Sequence, residues 1–159
     1  MIKFGTGGWR AVIGEDFTRA NIERVAAALA RRMVRENCAD KGICVGYDRR
    51  FLSREAWIWF SQVMAAEGVK VWFVNLNCPT PQIMYTVKRM ELPYGVMVTD
   101  SHNPAIWTGI QLFTAGGRDA TEIYTLPIQE EANAICPEEI RVLDFEKALA
   151  GGTIEFTDP

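Results

Sequence analysis

The one histidine of this chain, His102, stands in Asp100-Ser-His-Asn-Pro104, directly after an apolar run. Ser101 offers a nucleophilic oxygen, His102 a proton acceptor and Asn103 an amide donor, and Pro104 favours a turn. Spacing alone leaves two readings open. Residues 101–104 are either a strand-ending Asx or Ser turn, or a loop that carries chemistry. A serine-hydrolase arrangement is disfavoured on two grounds. No G-x-S-x-G elbow surrounds Ser101, and adjacent side chains of an extended strand point to opposite sides, which separates Ser101 from His102.

A second candidate is Gly5-Thr-Gly-Gly-Trp-Arg10. Its backbone N–H groups suit a phosphate, but the run is neither a dinucleotide fingerprint nor a lysine-bearing P-loop. Arg10 beside it is a permanently charged, forked donor matched to phosphate, with a plain surface arginine as the alternative. The net charge of −3 and the lack of any Lys/Arg run longer than two argue against nucleic acid or an anionic membrane as partner. Cys38, Cys44, Cys78 and Cys136 are widely spaced, with no C-x-x-C pair, so reduced, buried cysteines are expected rather than a zinc site or disulfides. No apolar window approaches bilayer length and no signal peptide is read at the start, so the cytoplasm is the expected location.

These candidates need elements to hold them. Ile22, Val25, Ala26, Leu29 and Met33 fall at helical spacing, which predicts an amphipathic helix over residues 20–37, capped near Thr18. Residues 43–48 read as a strand buried on both faces, 53–67 as a helix begun by Ser53 and ended by Gly68, and 69–75 as a second buried strand. A third helix must end before Pro93, and 94–99 is a third strand. This β-α-β alternation predicts parallel strands with right-handed crossovers. Residues 109–114 read as a fourth strand reached by too short a connection for a crossover, hence antiparallel. Helices are expected over 119–134 and after Asp144, and 153–159 reads as an unpartnered tail. In Trp57-Ile-Trp-Phe60 the helix is apolar almost all round, which predicts burial on two sides or a face toward a further domain or a second copy. The expected fold is a three-layer α/β/α sandwich with a mixed, mainly parallel four-stranded sheet of about one domain's length. Ligands of such a sheet bind beyond the carboxyl ends of its strands, here at Asp48-Arg-Arg50, the 75–81 turn and the Ser101 loop.

Four segments together resemble the N-terminal domain of the α-D-phosphohexomutases, the phosphoglucomutase/phosphomannomutase family. They are Phe4-Gly-Thr-Gly-Gly-Trp-Arg10, Val45-Gly-Tyr-Asp-Arg-Arg-Phe-Leu-Ser53, Pro79-Thr-Pro81, and Thr99-Asp-Ser-His-Asn-Pro104 followed by Gly109. Their order and spacing agree with the family up to the Gly116-Gly117 turn. The resemblance implies that Ser101 carries a phosphoryl group, gives it to a hexose phosphate and recovers one from the bisphosphate after the sugar reorients. It implies catalytic roles for Ser101 and His102 and phosphate or substrate contacts from Arg10, Asn103 and Gln111. It also implies a hexose bisphosphate activator and a Mg²⁺ ion to which Ser101 contributes one ligand.

The family's D-x-D-x-D-R metal loop does not occur in this sequence. Residues 1–150 are therefore expected as the phosphoserine domain, with 151–159 leading toward further domains, and the isolated chain is expected to be inactive. A non-catalytic phosphosugar-binding or regulatory module on the same scaffold is the alternative. Three departures bear on this choice: the family's alanine before the serine is Asp100, the asparagine before Gly109 is Thr108, and its lysine is Gln111. Glutamine still donates a hydrogen bond but brings no charge to an anionic transition state. Asp100 adds a negative charge beside a phosphoserine, which is unfavourable unless its carboxylate points away or assists the metal.

Overall fold

The computed structural model describes residues 1–74 and 76–158. Two short strands, β1 (Phe4–Gly5) and β2 (Gly8–Val12), precede α1 (Arg19–Arg35), β3 (Ile43–Tyr47), α2 (Ser53–Ala66), β4 (Val71–Val74) and α3 (Thr80–Arg89). The chain continues through β5 (Tyr94–Val98), β6 (Trp107–Thr114), β7 (Arg118–Asp119), α4 (Glu122–Ala134), α5 (Phe145–Ala150) and β8 (Ile154–Thr157). One mixed sheet runs β1-β2-β6-β5-β3-β4-β8, with β7 paired to β6. Strands β5, β3, β4 and β8 are parallel, and β6 returns antiparallel to β5 and carries β2 on its far side.

The expected α/β/α class and mixed sheet hold, but among the described residues the sheet has eight strands rather than four. The four expected strands are β3, β4, β5 and β6; β1, β2, β7 and β8 are additional. In β2, Trp9 and Ala11 point into the core and Arg10 points out, an alternation only a few residues long that follows directly on the glycine-rich turn. The stretch expected as a tail contributes β8, whose Ile154 is fully buried and pairs with Val71. Helix α4 starts at Glu122 rather than Asp119, because Asp119 pairs with Phe113 in β7. The expected end of the second parallel strand, Asn75, lies outside the described residues.

Two apolar clusters explain why the central strands read as continuous hydrophobic runs. Along β3, Ile43 and Val45 enter the larger cluster under α1 and α2, while Cys44 enters the smaller one, with Ile83 and Val87 of α3. The Ala26–Ala30 stretch of α1 is fully or almost fully buried, and its small side chains let α1 approach both α2 and α4. Thr18 caps α1 through Oγ1, as expected, and Asp144 caps α5 by accepting from Lys147 N at 3.0 Å. Helix α2 begins at Ser53, as expected, with Leu52 in the cap position at φ 64° and the Ser53 hydroxyl donating to Asp48 Oδ1. Trp57 and Phe60 are buried and Ile58 and Trp59 half-buried against the same core, so the apolar girdle of α2 is mostly spent within this domain.

Cys44 and Cys78 are buried and free, as expected, whereas Cys136 is exposed and Cys38 half-buried. Removal from water pushes the Cys44 thiol up to about 12 and the Cys78 thiol up to about 11. Native protein should therefore react with a thiol reagent at Cys136 and Cys38, and at Cys44 and Cys78 only after unfolding, as read by mass spectrometry. Since the fold keeps thiol protons that the unfolded chain releases above 9.0, unfolding free energy should fall as pH rises from there toward about 12. A second test concerns Gly109, opposite Arg10, where an added Cβ would sit 2.3 Å from the Trp9 carbonyl oxygen. Gly109→Ala should lower stability by about 3 kcal/mol in urea unfolding.

Candidate active site

At the carboxyl end of β3, Asp48 organises the sheet edge. Its Oδ1 accepts from Arg50 N at 2.9 Å and from Ser53 Oγ at 2.8 Å, and its Oδ2 accepts from Thr99 Oγ1 at 2.6 Å. Thr99 Oγ1 in turn accepts from Ser101 N at 3.1 Å. The end of β3 is thus tied by side chains to the end of β5, the neighbouring parallel strand.

Arg50 then holds the loop itself. Nη1 donates to the carbonyls of Pro104 and Trp107 at 3.1 and 2.9 Å, and Nη2 to those of Ser101 and Asn103 at 3.0 and 2.7 Å. A planar fork can reach several carbonyls that turn toward one point, which an ammonium group cannot do equally. Its charge is partly balanced by Asp48, whose Oδ2 is 3.7 Å from Nε.

Within this clamp Ser101 adopts φ 53°, the left-handed region that a non-glycine residue enters at a cost of about 1 kcal/mol. This conformation corrects the expectation that Ser101 and His102 point apart. The chain leaves the extended state at Ser101, and its Oγ lies 3.2 Å from His102 Nδ1, both side chains being exposed. A cavity of about 500 Å³ opens beside them, lined by Asp48, Arg49, Arg50, Phe51, Ser101, Asn103 and Ala105.

Asn103 belongs to the same cluster, its Nδ2 donating to Asp100 Oδ1 at 2.9 Å. Arg10 joins from β2, with Nε 2.8 Å from the same Asp100 oxygen. The Asp100 carboxylate is therefore turned toward β2 and paired. Gln111 is not brought to the loop: it sits within the sheet opposite Gly8 and Met97, and its Nε2 donates to Asp119 Oδ1 at 3.2 Å. The glycine turn before Arg10 is the connection of the β1-β2 hairpin, with Gly7 at φ 72°.

The resemblance implies site roles for Ser101, His102, Asn103 and Arg10, and the strand-end argument brings the Asp48-Arg-Arg50 loop to the Ser101 loop, with no individual role for Asp48, Arg50 or Thr99. A usable signal was present, since charged residues directly after a doubly buried strand must find partners at the sheet end. Among the described residues no group of three or more His, Cys, Asp or Glu side chains could hold a metal ion, and no helix is long and apolar enough to cross a membrane.

In this α/β/α domain, the cavity at the carboxyl end of the mixed sheet, rimmed by an exposed serine in a clamped loop, is the candidate site. The profile described as phosphoglucomutase/phosphomannomutase, alpha/beta/alpha domain I, matches residues 1–138, and the chain belongs to that family. A phosphoglucomutase of Staphylococcus haemolyticus is 30% identical over 135 residues, covering 83% of this chain and 24% of the relative. A phosphoglucosamine mutase of Prochlorococcus marinus is 33% identical over 152 residues, covering 92% and 32%. A crystal structure from Thermus thermophilus, provisionally named a phosphomannomutase, superposes with a TM-score of 0.80 at 31% identity, covering 99% of this chain and 33% of that one. The chain thus spans about a quarter to a third of the length of these relatives.

Arg50→Lys should release most of the four carbonyl contacts. We expect a loss of about 2 kcal/mol in urea unfolding, together with faster amide hydrogen exchange confined to residues 100–107.

Proposed function

We propose that this chain is the phosphoserine-bearing domain of a phosphohexose mutase that interconverts hexose 1-phosphate and hexose 6-phosphate through a bisphosphate. The observation that carries this reading is Ser101 itself. Its hydroxyl is exposed at the rim of a cavity, on a backbone held left-handed by Arg50, Asp48 and Thr99, in a chain of this family.

In the transfer, the bond between Ser101 Oγ and phosphorus breaks while one forms from a sugar hydroxyl oxygen to phosphorus, and that hydroxyl's proton is released. His102 Nδ1, 3.2 Å from Oγ, is placed to supply the proton that Ser101 takes up as it becomes a free hydroxyl, and to remove it when a phosphoryl returns. Such chemistry depends mainly on positioning and on positive charge around the transferring group. Arg10 supplies guanidinium N–H donors from β2, its charge matched by Asp100, and Asn103 fixes the loop beside it.

A Mg²⁺ ion would neutralise charge on the transferring phosphoryl. From this chain it would take one oxygen at Ser101, because Asp48 is committed to Arg50, Ser53 and Thr99, and the Asp100 carboxylate is buried against Arg10 and Asn103. Its other ligands would come from outside these residues, and the isolated chain would not turn over. Free cysteines suit the reducing cytoplasm as its location.

The uncharged Gln111, engaged with Asp119, favours a second reading, a phosphosugar-binding module that has lost catalysis.

Intact mass of the full-length gene product should show a phosphoryl adduct that peptide mapping places on Ser101 and that Ser101→Ala removes. With glucose 1-phosphate, a hexose bisphosphate and Mg²⁺, the unsubstituted protein should turn over. An adduct on another residue would refute the assignment of Ser101, and an adduct on Ser101 without turnover would select the binding module.

A further inference from the structure

Asp100 stands directly before Ser101, and its side chain has 0% exposure to solvent. Its Oδ1 is shared between Arg10 Nε and Asn103 Nδ2, while Oδ2 is buried with no hydrogen-bond partner among the described residues. A carboxylate buried for stability alone is best gripped through both oxygens, in the side-on pairing that the Nε and Nη groups of an arginine offer together. Here the arginine meets only Oδ1, as an ion pair with Nε 2.8 Å away. Its side chain remains 37% exposed, so the guanidinium is open to a further anion.

The neighbouring strand gives this arginine its path. Arg10 lies opposite Gly109, and a Cβ there would fall 3.1 Å from Arg10 Cγ, so the missing side chain leaves room for the arginine stem to lie across β6 toward Asp100. An orphaned buried carboxylate oxygen is costly and calls for an explanation beyond packing. Orienting a charged group is such an explanation.

We propose that Asp100 is a positioning residue, whose buried carboxylate holds the Arg10 guanidinium by an ion pair at the base of the Ser101 loop, where it can meet a phosphoryl group on Ser101. This rests on the reading of Ser101 as the phosphoryl carrier. The negative charge of Asp100 is then compatible with a nearby phosphate, because it is matched by the arginine it holds. Pre-orientation matters for so long a side chain, which otherwise loses its rotamer freedom when the phosphoryl arrives.

The test uses the chain with phosphoserine installed genetically at position 101, beside the unmodified chain, and follows the Arg10 side chain by ¹H–¹⁵N NMR. Installing phosphoserine should slow rotation of the Arg10 Nη groups about tenfold, the worth of one charge-assisted hydrogen bond. That slowing should be lost in Asp100→Ala and in the isosteric Asp100→Asn. Equal slowing in the Asp100 variants, or none in the unsubstituted chain, overturns the proposal. The backbone amide spectrum reports whether each variant folds, and Asp100→Asn decides if Asp100→Ala does not. Because the phosphoserine is installed rather than transferred, this outcome is independent of whether the protein acquires a phosphoryl group on Ser101, which the adduct mass answers.

Discussion

One guanidinium holds the Ser101 loop in shape. Four backbone carbonyls, from Ser101, Asn103, Pro104 and Trp107, turn toward Arg50, and each would otherwise be an acceptor at a sheet end seeking a partner. Concentrating them on a single cation fixes the loop's path without a disulfide or a helix of its own. It also explains how a serine is kept in a left-handed conformation that local energetics disfavour. The strain is small beside the four charge-assisted bonds that impose it.

The sheet makes this possible by bringing distant residues to one edge. Parallel pairing of β3 with β5 aligns Tyr47 with Val98, so Asp48 and Thr99 emerge side by side and bond directly. The antiparallel return of β6 then brings Gly109 against the Arg10 position of β2. Asp48 and Thr99 from two strand ends and Arg10 from the middle of β2 thus meet around Thr99 and Asp100, although they are far apart along the chain.

Much of this arrangement is legible in the sequence, for identifiable reasons. Strands β3 and β5 are covered on both faces, so they appear as uninterrupted apolar runs, and α1 shows its buried stripe because its other face meets polar groups. Strands β2 and β8 are not legible: the first is short, follows a glycine-rich turn and exposes Arg10, and the second leaves Glu155 and Phe156 exposed, so neither displays the pattern of a buried strand. The Ser101 conformation is hidden for a different reason. Serine has no intrinsic preference for positive φ, and the residue that enforces it, Arg50, is 51 positions away. Likewise the orientation of Gln111 toward Asp119 follows from the β6-β7 pairing, which two residues of strand are too short to announce.

The first residues of the chain are fastened by its later part. Ile2 N donates to Asn133 Oδ1 and Phe4 N to Gln129 Oε1, while Asn133 Nδ2 donates back to the Ile2 carbonyl. The hairpin that bears Arg10 thus has its anchor on α4 and its sheet partner in β6, both made long after it leaves the ribosome. Contacts of such sequence separation carry a large loop-closure entropy and slow folding. During synthesis the central β-α-β layers can assemble early, while the strand that contributes the arginine waits for nearly the whole domain before it has a place to dock.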